Sequence, residues 1–410
     1  MQGLKENKEQ FLLLVLVNAF VGSMVGMERS ILPEFGRTVF SLSTASAVTS
    51  FIVAFGISKA VSNYMVGVLA RKFTRKKLLV VGWLIASPVP FLLMFANNWN
   101  WIIIANIFLG ISQGITWSIT VVMKIDLVGS KNRGLAMGIN EFSGYLAVGV
   151  SAFLSAQLAA SYGYAFYPFL PGVLFVLVGL IISFFFINDT AAFIQSETSQ
   201  SNIPLLKNIW ISTSWKHRNL GSVSINGLVN NLNDGVMWGL VPLLLIQRSF
   251  TIQQVGIVAG LYPMIWGFSQ LFTGKMGDIF CKKQLITLGM LLQALAIILL
   301  GLFSSFYWAI TAAVLLGLGT GLVYPNFLTV VVENAHPLQR AEIIGVFRFW
   351  RDSGYVIGAL LSGFLADWLG LSAALFAVAA ITAFAGIVAN IRMCCTLKMF
   401  WRSQECMPTV

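Results

Sequence analysis

Long apolar stretches alternate with short polar segments along almost the whole chain. Each stretch holds about 20 residues or more, which is the length that an α-helix needs to cross roughly 30 Å of hydrocarbon. The pattern predicts an all-α membrane protein with twelve transmembrane helices, at residues 11–33, 44–69, 78–96, 101–123, 136–160, 168–187, 219–246, 253–273, 284–303, 307–331, 342–366 and 372–391.

The composition lies outside the range of soluble proteins. Hydrophobic residues make up 57% of the chain and charged residues only 10%, whereas soluble domains carry about 25% charged residues. The sequence contains no nucleophile, metal-ligand or nucleotide-binding motif, so we expect neither an enzyme nor a bound cofactor or metal. The basic residues form no soluble domain, and this excludes a nucleic-acid partner.

The basic residues lie mainly on one side of the predicted helices. With the N-terminus in the cytoplasm, most of the 26 Lys and Arg residues fall in the termini and cytoplasmic loops, including the run RKFTRKK at 71–77. This asymmetry predicts that both termini are cytoplasmic. The net charge of +11 then reflects topology and attraction to the anionic headgroups of the lipid bilayer. We expect a monomer in a bacterial cytoplasmic (inner) membrane.

The chain contains an internal repeat. The segment GVLARKFTRKKLLVVG, which starts at Gly67, matches GKMGDIFCKKQLITLG, which starts at Gly274, an offset of 207 residues. The repeat predicts a six-helix half at 1–187, a cytoplasmic linker at 188–218, a second six-helix half at 219–393 and a tail at 394–410. The same offset relates Gly110, Gly114, Asp126, Arg133 and Gly138 to Gly317, Gly321, Glu333, Arg340 and Gly345.

The two glycine-rich basic loops resemble the signature of the major facilitator superfamily, roughly G-x-x-x-D-x-x-G-R-K/R. The second copy keeps the acid as Asp278, whereas the first has Arg71 there and Thr74 where the second glycine is usual. The resemblance implies a secondary transporter whose pseudo-symmetric halves rock around a site near the midplane. It implies gating or loop-motif roles for Gly67, Arg71, Arg75, Asp126, Arg133, Gly274, Asp278, Lys282, Glu333 and Arg340.

Two pairs among these loop residues are expected to form ion pairs. Asp126 with Arg133 and Glu333 with Arg340 lie at predicted cytoplasmic helix ends. We interpret them as gate or loop pairs between the two halves.

Ionised residues are distributed unequally among the predicted helices. In the superfamily that the loops resemble, helices 3, 6, 9 and 12 face lipid, and here those four contain no ionised residue. The segment GVFRFWRDSGYVIGALLSGFLA at 345–366, by contrast, carries Arg348, Arg351 and Asp352. A charge that faces lipid at mid-bilayer costs on the order of 3 kcal/mol. We therefore expect helices 1, 2, 4, 5, 7 and 11 to place their charges in a hydrated cavity.

Helical spacing puts these groups and their polar neighbours on shared faces. The polar residues from Arg348 to Tyr355 follow i, i+3, i+4 and i+7, and those from Asn226 to Asp234 follow i, i+4, i+7 and i+8. Guanidinium groups pair well with carboxylate or phosphate, so we expect an anion site. The candidate substrate-binding residues are Arg29, Lys59, Gln113, Trp117, Asn226, Asn230, Asn233, Tyr324, Arg348, Arg351 and Tyr355.

Proton coupling requires a carboxylate that changes its protonation between two states of the carrier. Asp234 is the first candidate, because its own stripe contains no basic residue. Glu28, Glu141 and Asp352 are the others. In the alternative interpretation, the acidic and basic neighbours form structural pairs, and the candidate aromatic residues belong to the core.

These observations predict a secondary active transporter that moves a small hydrophilic organic solute by alternating access, coupled to protons. The solute is expected to be anionic or zwitterionic, such as an organic acid or a metal chelate of the siderophore type. One alternative is a drug/proton antiporter that exports amphipathic compounds, although Asn106 stands where that branch has an arginine and helix 5 lacks its Gly-Pro pair. A channel and a non-transporting membrane sensor or interaction protein are further alternatives.

The four cysteines all fall on the predicted cytoplasmic side. They are Cys281, Cys394, Cys395 and Cys406. Thiols stay reduced in that compartment, so we expect no disulfide bond.

Overall fold

The computed structural model describes residues 3–69, 72–128, 133–190, 204–336, 339–395 and 398–400. Arg71 lies outside these residues, as do parts of the linker and the tail. The side chains of Arg133, Asp278 and Arg340 are also outside the described part.

Almost all described residues are helical, and the described part of the chain contains no β-sheet. The helices are α1 (Lys8–Arg29), α2 (Leu32–Thr38), α3 (Ala45–Leu69), α4 (Arg75–Ala86), α5 (Val89–Met94), α6 (Trp99–Val128), α7 (Arg133–Tyr162), α8 (Leu170–Ile181), α9 (Ile209–Ile211), α10 (Arg218–Gln247), α11 (Ile252–Ile279), α12 (Lys282–Leu302), α13 (Phe306–Glu333), α14 (Arg340–Leu369) and α15 (Leu371–Arg392).

Ten of the described helical segments are long and apolar enough to cross a membrane. Two further helices, α10 and α14, have 30 residues each but are interrupted by the polar stripes seen in the sequence. A chain with this many apolar helices is an integral membrane protein. The helices coincide with the predicted apolar stretches to within a few residues at most ends.

Several helix ends are fixed by local chemistry. Thr251 and Gln254 form a reciprocal capping box at the start of α11. Gly370, with a φ of 89°, joins α14 directly to α15 in a conformation that glycine adopts without strain. The guanidinium of Arg248 donates to the carbonyl groups of Leu300 and Gly301 at the end of α12, at 2.6 and 2.8 Å.

Close helix contacts repeat with the offset found in the sequence. A Cβ atom added to Gly110 of α6 would lie 2.5 Å from the backbone oxygen of Phe55 in α3. The corresponding Gly317 of α13 would meet the backbone oxygen of Tyr262 in α11 at 2.7 Å. Phe55 and Tyr262 are themselves related by the offset of 207. The α3–α6 and α11–α13 pairs therefore pack in the same way, through small residues.

Among the residues that the structure describes, an ion pair of the loop motif recurs in both repeats. Arg75 Nε at the start of α4 lies 2.7 Å from Asp126 Oδ2 at the end of α6. Lys282 Nζ at the start of α12 lies 2.9 Å from Glu333 Oε1 at the end of α13. The two pairs are related by the same offset, because 75 corresponds to 282 and 126 to 333.

The ion pairs expected with Arg133 and Arg340 remain predictions, because those two side chains lie outside the described part. The two described pairs have other partners. Each joins a loop-motif residue to a helix end of the same repeat, because the first residue of α4 or α12 packs beside the end of α6 or α13. Of the remaining motif positions, Gly67 and Gly274 lie near the ends of α3 and α11.

The most extensive contacts between the first and second repeats are those of α3 with α14 and of α7 with α11. In the first pair, Gly56 packs against Tyr355 and Val356 of α14. Where α14 ends and α3 begins, Asp367 accepts hydrogen bonds from the backbone nitrogens of Ala45 and Ser46, at 2.5 and 3.1 Å. The interior between the repeats is therefore closed along this interface.

The structure contradicts the expectation of reduced thiols within the described residues. Cys281 and Cys395 form a disulfide bond, with their Cα atoms 5.8 Å apart. The chain after α15 runs back to the start of α12, where the backbone nitrogen of Cys281 donates to the oxygen of Lys398 at 2.8 Å. The two cysteines are 114 residues apart in sequence, so only this return of the chain brings them together.

Candidate functional site

Seven ionisable side chains from both repeats meet in the interior. They come from α1, α3, α10 and α14, and each is at most 8% exposed. Contacts across the α3–α14 interface hold them together: Asn63 donates to Asp352, and Lys59 Nζ lies 5.2 Å from the ring of Tyr355. This group, the central charged cluster, consists of Glu28, Arg29, Lys59, Asp234, Arg348, Arg351 and Asp352.

Arg29 is held by aromatic rings. Its Cζ lies 4.3 Å from the ring centre of Phe55, 4.9 Å from that of Trp238 and 5.6 Å from that of Phe51. Its Nη1 is 3.8 Å from Glu28 Oε1, which is an ion-pair distance but too long for a hydrogen bond. Desolvated cation–π contacts are worth about 2 kcal/mol or more, so the rings compensate part of the cost of burying this charge.

Lys59 also lies close to the Phe55 ring. Its Nζ is 5.2 Å from the ring centre of Phe55 and 5.9 Å from that of Trp117. Arg29 and Lys59 therefore both approach one aromatic side chain.

Arg348 crosses from the second repeat to the first. Its Nη1 donates to Ser118 Oγ of α6 at 2.5 Å. Ser118 in turn donates to Asn63 Oδ1 at 2.5 Å. Arg348 thus reaches the first repeat through a neutral hydroxyl, and none of the described carboxylates forms a salt bridge with it.

Arg351 and Asp352, in contrast, satisfy each other. Arg351 Nη2 and Nε lie 2.6 and 2.8 Å from Asp352 Oδ1. Arg351 also donates to the Tyr324 hydroxyl at 2.5 Å, and Asp352 accepts from Asn231 at 3.3 Å as well as from Asn63. The geometry is that of a hydrogen-bonded buried ion pair.

Asp234 is held by hydroxyl groups. Tyr262 donates to its Oδ1, and Tyr355 donates to its Oδ2 at 3.3 Å. Asp234 is fully buried, and it forms no salt bridge with any described basic residue. Both Tyr hydroxyls come from other helices, α11 and α14, so the surroundings of this carboxylate depend on helix positions.

The other two carboxylate candidates lie in the first repeat. Glu28 Oε2 accepts from Asn106 Nδ2 at 3.2 Å. Glu141 Oε1 accepts from Trp117 Nε1 at 3.1 Å and from Asn140 Nδ2 at 2.9 Å. Glu141 thus lies beside the central charged cluster, and its partner Trp117 is 5.9 Å from Lys59 Nζ.

The amide candidates of α10 point elsewhere. Asn230 Oδ1 and Asn233 Nδ2 both bond Gln293 of α12, at 3.0 and 2.8 Å, and Asn233 Oδ1 also accepts from Thr382 of α15. Asn226 donates to the carbonyl oxygen of Ser222 in its own helix. Asn230 also donates to Asn231, which bonds Asp352, so it reaches the cluster through one intermediate. The described hydrogen bonds of Asn226 and Asn233 do not lead to the cluster.

Gln113 has a similar structural position. Its Nε2 donates to the carbonyl oxygen of Val21 at 2.5 Å and so joins α6 to α1. The described contacts do not place it beside the charged groups.

An aromatic layer lies beside the cluster and contains residues that the sequence analysis missed. The rings of Tyr145 and Trp266 stack across the α7–α11 interface with centres 3.5 Å apart. Two of the candidate residues belong to this layer. The ring centre of Trp117 lies 5.1 Å from that of Tyr145, and the ring centre of Tyr324 lies 5.5 Å from that of Trp266.

The repeat contained a usable signal for the missed residues. The offset of 207 relates Trp266 to Lys59 and Tyr262 to Phe55. Because Lys59 on α3 was a candidate site residue, its counterpart Trp266 on α11 could have been named as one too. The same offset relates Glu141 to Arg348 and Trp117 to Tyr324. Corresponding positions therefore point inward in both repeats while carrying different chemistry.

Sequence comparison identifies related proteins. The sequence matches a family model described as Major Facilitator Superfamily over residues 11–218 and 223–402. A curated relative, the proton-coupled antiporter flippase LtaA of Staphylococcus epidermidis, is 27% identical over 82% of this chain and 85% of its own length.

Two solved structures share the fold. A POT family transporter in complex with a thioalcohol-conjugated peptide superposes with a TM-score of 0.76 at 13% identity, covering 92% of this chain and 94% of that one. The human organic anion transporter MFSD10 (TETRAN) superposes with a TM-score of 0.70 at 15% identity, covering 93% and 99%. At these identities the likeness concerns the fold alone.

Proposed function

Because the chain belongs to the Major Facilitator Superfamily, we propose that it is a secondary active transporter that moves a small hydrophilic anionic organic solute in exchange or symport with protons. Twelve transmembrane helices, with both termini in the cytoplasm, would form two halves at 1–187 and 219–393, joined by the linker at 188–218 and followed by the tail at 394–410. Transport proceeds by alternating access of the central charged cluster to the two sides.

The observation that carries this proposal is the excess of buried cations over carboxylates in the central charged cluster, which holds four cations and three carboxylates. Glu28 lies beside Arg29 and Asp352 is bound to Arg351, whereas none of the described carboxylates forms a salt bridge with Lys59 or Arg348. Buried charge is costly unless it is paired. An anionic solute provides the missing countercharge when the halves separate and the interior hydrates.

Proton coupling is assigned to Asp234. Tyr262 and Tyr355 donate to its carboxylate from two other helices. When α11 or α14 moves, the carboxylate loses these donors and takes up a proton; when they return, it releases the proton. The name of the relative LtaA, a proton-coupled antiporter flippase, supports coupling of this kind. Arg351 and Asp352, which satisfy each other, hold α14 in place beside this site.

The aromatic layer favours a second candidate function, the export of amphipathic compounds by proton antiport. The rings of Tyr145, Trp266, Tyr324 and Trp117 offer a surface for an apolar substrate portion. Such a substrate would depend on these rings more than on Arg348.

Transport by purified protein in proteoliposomes tests the proposal. Radiolabelled organic anions, with glutarate, valerate and 3-phenylpropionate among them, are supplied under an imposed pH gradient. We expect saturable uptake that collapses when a protonophore removes the gradient, and a loss of at least about tenfold in Arg348→Gln. Arg218→Gln, at an exposed position, is the matched control and retains uptake. The proposal is contradicted if the uptake rate does not depend on the pH gradient, or if Arg348→Gln retains the wild-type uptake rate.

A further inference from the structure

Polar atoms without hydrogen-bond partners gather at one edge of the central charged cluster. Among the described residues, the donors Nε, Nη1 and Nη2 of Arg29 and Nε1 of Trp238 have no acceptor. The acceptors Oε1 of Glu28 and Oδ1 of Asn106 have no donor. All four side chains are at most 2% exposed. More than nine in ten buried polar groups in proteins are paired, so six orphaned atoms in one place point to a ligand.

Contacts show that these four side chains form one group. Glu28 Oε1 lies 3.8 Å from Arg29 Nη1, and Asn106 Nδ2 bonds the other oxygen of Glu28 at 3.2 Å. The Trp238 ring centre is 4.9 Å from Arg29 Cζ. The group draws on α1 and α6 of the first repeat and on α10 of the second, so its geometry changes when the repeats move.

The orphaned atoms are of two types. Those of Arg29 and Trp238 are all donors, which suit a carboxylate. Those of Glu28 and Asn106 are both acceptors, which suit an ammonium group. One orphaned donor and one orphaned acceptor, Arg29 Nη1 and Glu28 Oε1, lie 3.8 Å apart. An α-amino acid carries its ammonium and carboxylate groups on one carbon, and therefore at a matching separation.

The surroundings indicate where the rest of such a molecule would lie. The rings of Phe51 and Phe55 lie against Arg29, and Lys59 Nζ is 5.2 Å from the ring centre of Phe55. A side chain attached to the α-carbon can thus pack on rings and approach a second cation.

We propose that the transported solute carries an α-amino acid group, which Arg29 and Trp238 bind by its carboxylate and Glu28 and Asn106 by its ammonium. The inference rests on the proposed function, since it assigns the substrate class of the same carrier. It gives Glu28 the role of binding the substrate and leaves proton transfer to Asp234.

Matched pairs of small molecules test this assignment. Calorimetric titration of the purified full-length protein in detergent uses L-glutamate with glutarate, L-norvaline with valerate, and L-phenylalanine with 3-phenylpropionate. Each pair differs only in the amino group. In at least one pair we expect the amino acid to bind about tenfold or more tightly than its partner, because a hydrogen-bonding site rejects an analogue that leaves its groups unpaired.

Two variants test the ammonium-binding and the carboxylate-binding residues separately. Glu28→Gln should abolish the preference for the amino acid, measured as the ratio of the two affinities within each pair, because the ammonium group loses its charged acceptor. Trp238→Phe keeps the ring but removes the donor, so it should weaken both members of each pair. An unchanged elution profile in size-exclusion chromatography establishes that each variant is folded.

The outcomes separate the two proposals. Equal binding of both members of every pair, with dependence on Arg348, overturns the α-amino acid assignment and preserves the anion carrier. A preference that persists in Glu28→Gln also overturns the assignment. Binding of neither member of any pair by the wild-type protein overturns the assignment and the proposed function together.

Discussion

Two buried aspartates of the central charged cluster have opposite surroundings. Asp352 is bound by the Arg351 guanidinium and by two asparagine amides. Asp234 accepts hydrogen bonds from two tyrosine hydroxyls and from no other described residue. Both are fully buried, so the difference lies in their partners. An ion pair fixes one charge state, whereas hydroxyl partners accommodate either the charged or the neutral carboxyl group.

Replacing each aspartate by asparagine should separate structure from transport. Asp352→Asn leaves the buried charge of Arg351 without its partner, which costs about 3–5 kcal/mol of stability. Asp234→Asn breaks no ion pair with a described residue and still offers an acceptor to Tyr262. We expect Asp352→Asn to lower the melting temperature in detergent clearly more than Asp234→Asn, while Asp234→Asn abolishes gradient-driven uptake. Equal melting temperatures would contradict the assignment of roles.

At the scale of helices, the fold depends on backbones that approach closely within each repeat. Gly110 of α6 and Gly317 of α13 lie directly against backbone oxygens of α3 and α11. Lipid offers no hydrophobic driving force between helices, so close packing and interhelical polar contacts must hold them together. The amides of Asn230 and Asn233, bonded to Gln293, serve the same purpose between α10 and α12.

A pair of glycine substitutions should test this packing. In Gly110→Ala the added Cβ meets Ser58 Oγ at 2.0 Å and the Phe55 backbone at 2.5 Å, and such overpacking costs about 1–3 kcal/mol. Gly274→Ala, inside α11 with no atom within 4 Å of the new Cβ, gains about 0.5–1 kcal/mol of helix stability. Thermal unfolding in detergent should show opposite shifts. A loss of stability in Gly274→Ala as large as that in Gly110→Ala would contradict this account.

At the scale of the whole molecule, the repeats are held shut at the end that contains Asp367. This exposed carboxylate of α14 caps the first turn of α3, which belongs to the other repeat, through two backbone nitrogens and the hydroxyl of Ser46. A negative group at a helix N-terminus is favourable. The cap must break when this end of the molecule opens, so it favours the closed arrangement.

Removal of the cap should make that end more open. Thr49, one turn deeper on α3, is 1% exposed and contacts α14. A Thr49→Cys reporter, with all four native cysteines replaced by serine, should react several-fold faster with an impermeant maleimide after Asp367→Ala. The control Glu9→Gln changes another exposed carboxylate in the first turn of α1, and its labelling rate should be unchanged. Identical rates in both variants would show that the cap does not control opening.

The sequence by itself determined the helices, their membrane setting and their internal repeat. Hydrocarbon thickness sets the length of every apolar stretch, and the cost of a lipid-facing charge confines ionised residues to a few helices. Both constraints act on each segment separately, so their effects can be read from the sequence of one helix without knowing which helices pack against it. For the same reason the inward placement of Arg29, Lys59 and Arg348 followed from their helices alone.

Only the tertiary structure decided which partner each polar group meets. Spacing along α10 grouped Asn230, Asn233 and Asp234, yet packing directs the two amides to Gln293 and the carboxylate to Tyr262. Periodicity defines a face of a helix to within roughly a third of its circumference. Residues on that one face can therefore contact different neighbouring helices. The partners of a polar side chain thus depend on residues far away in the sequence, which only the packed bundle brings close.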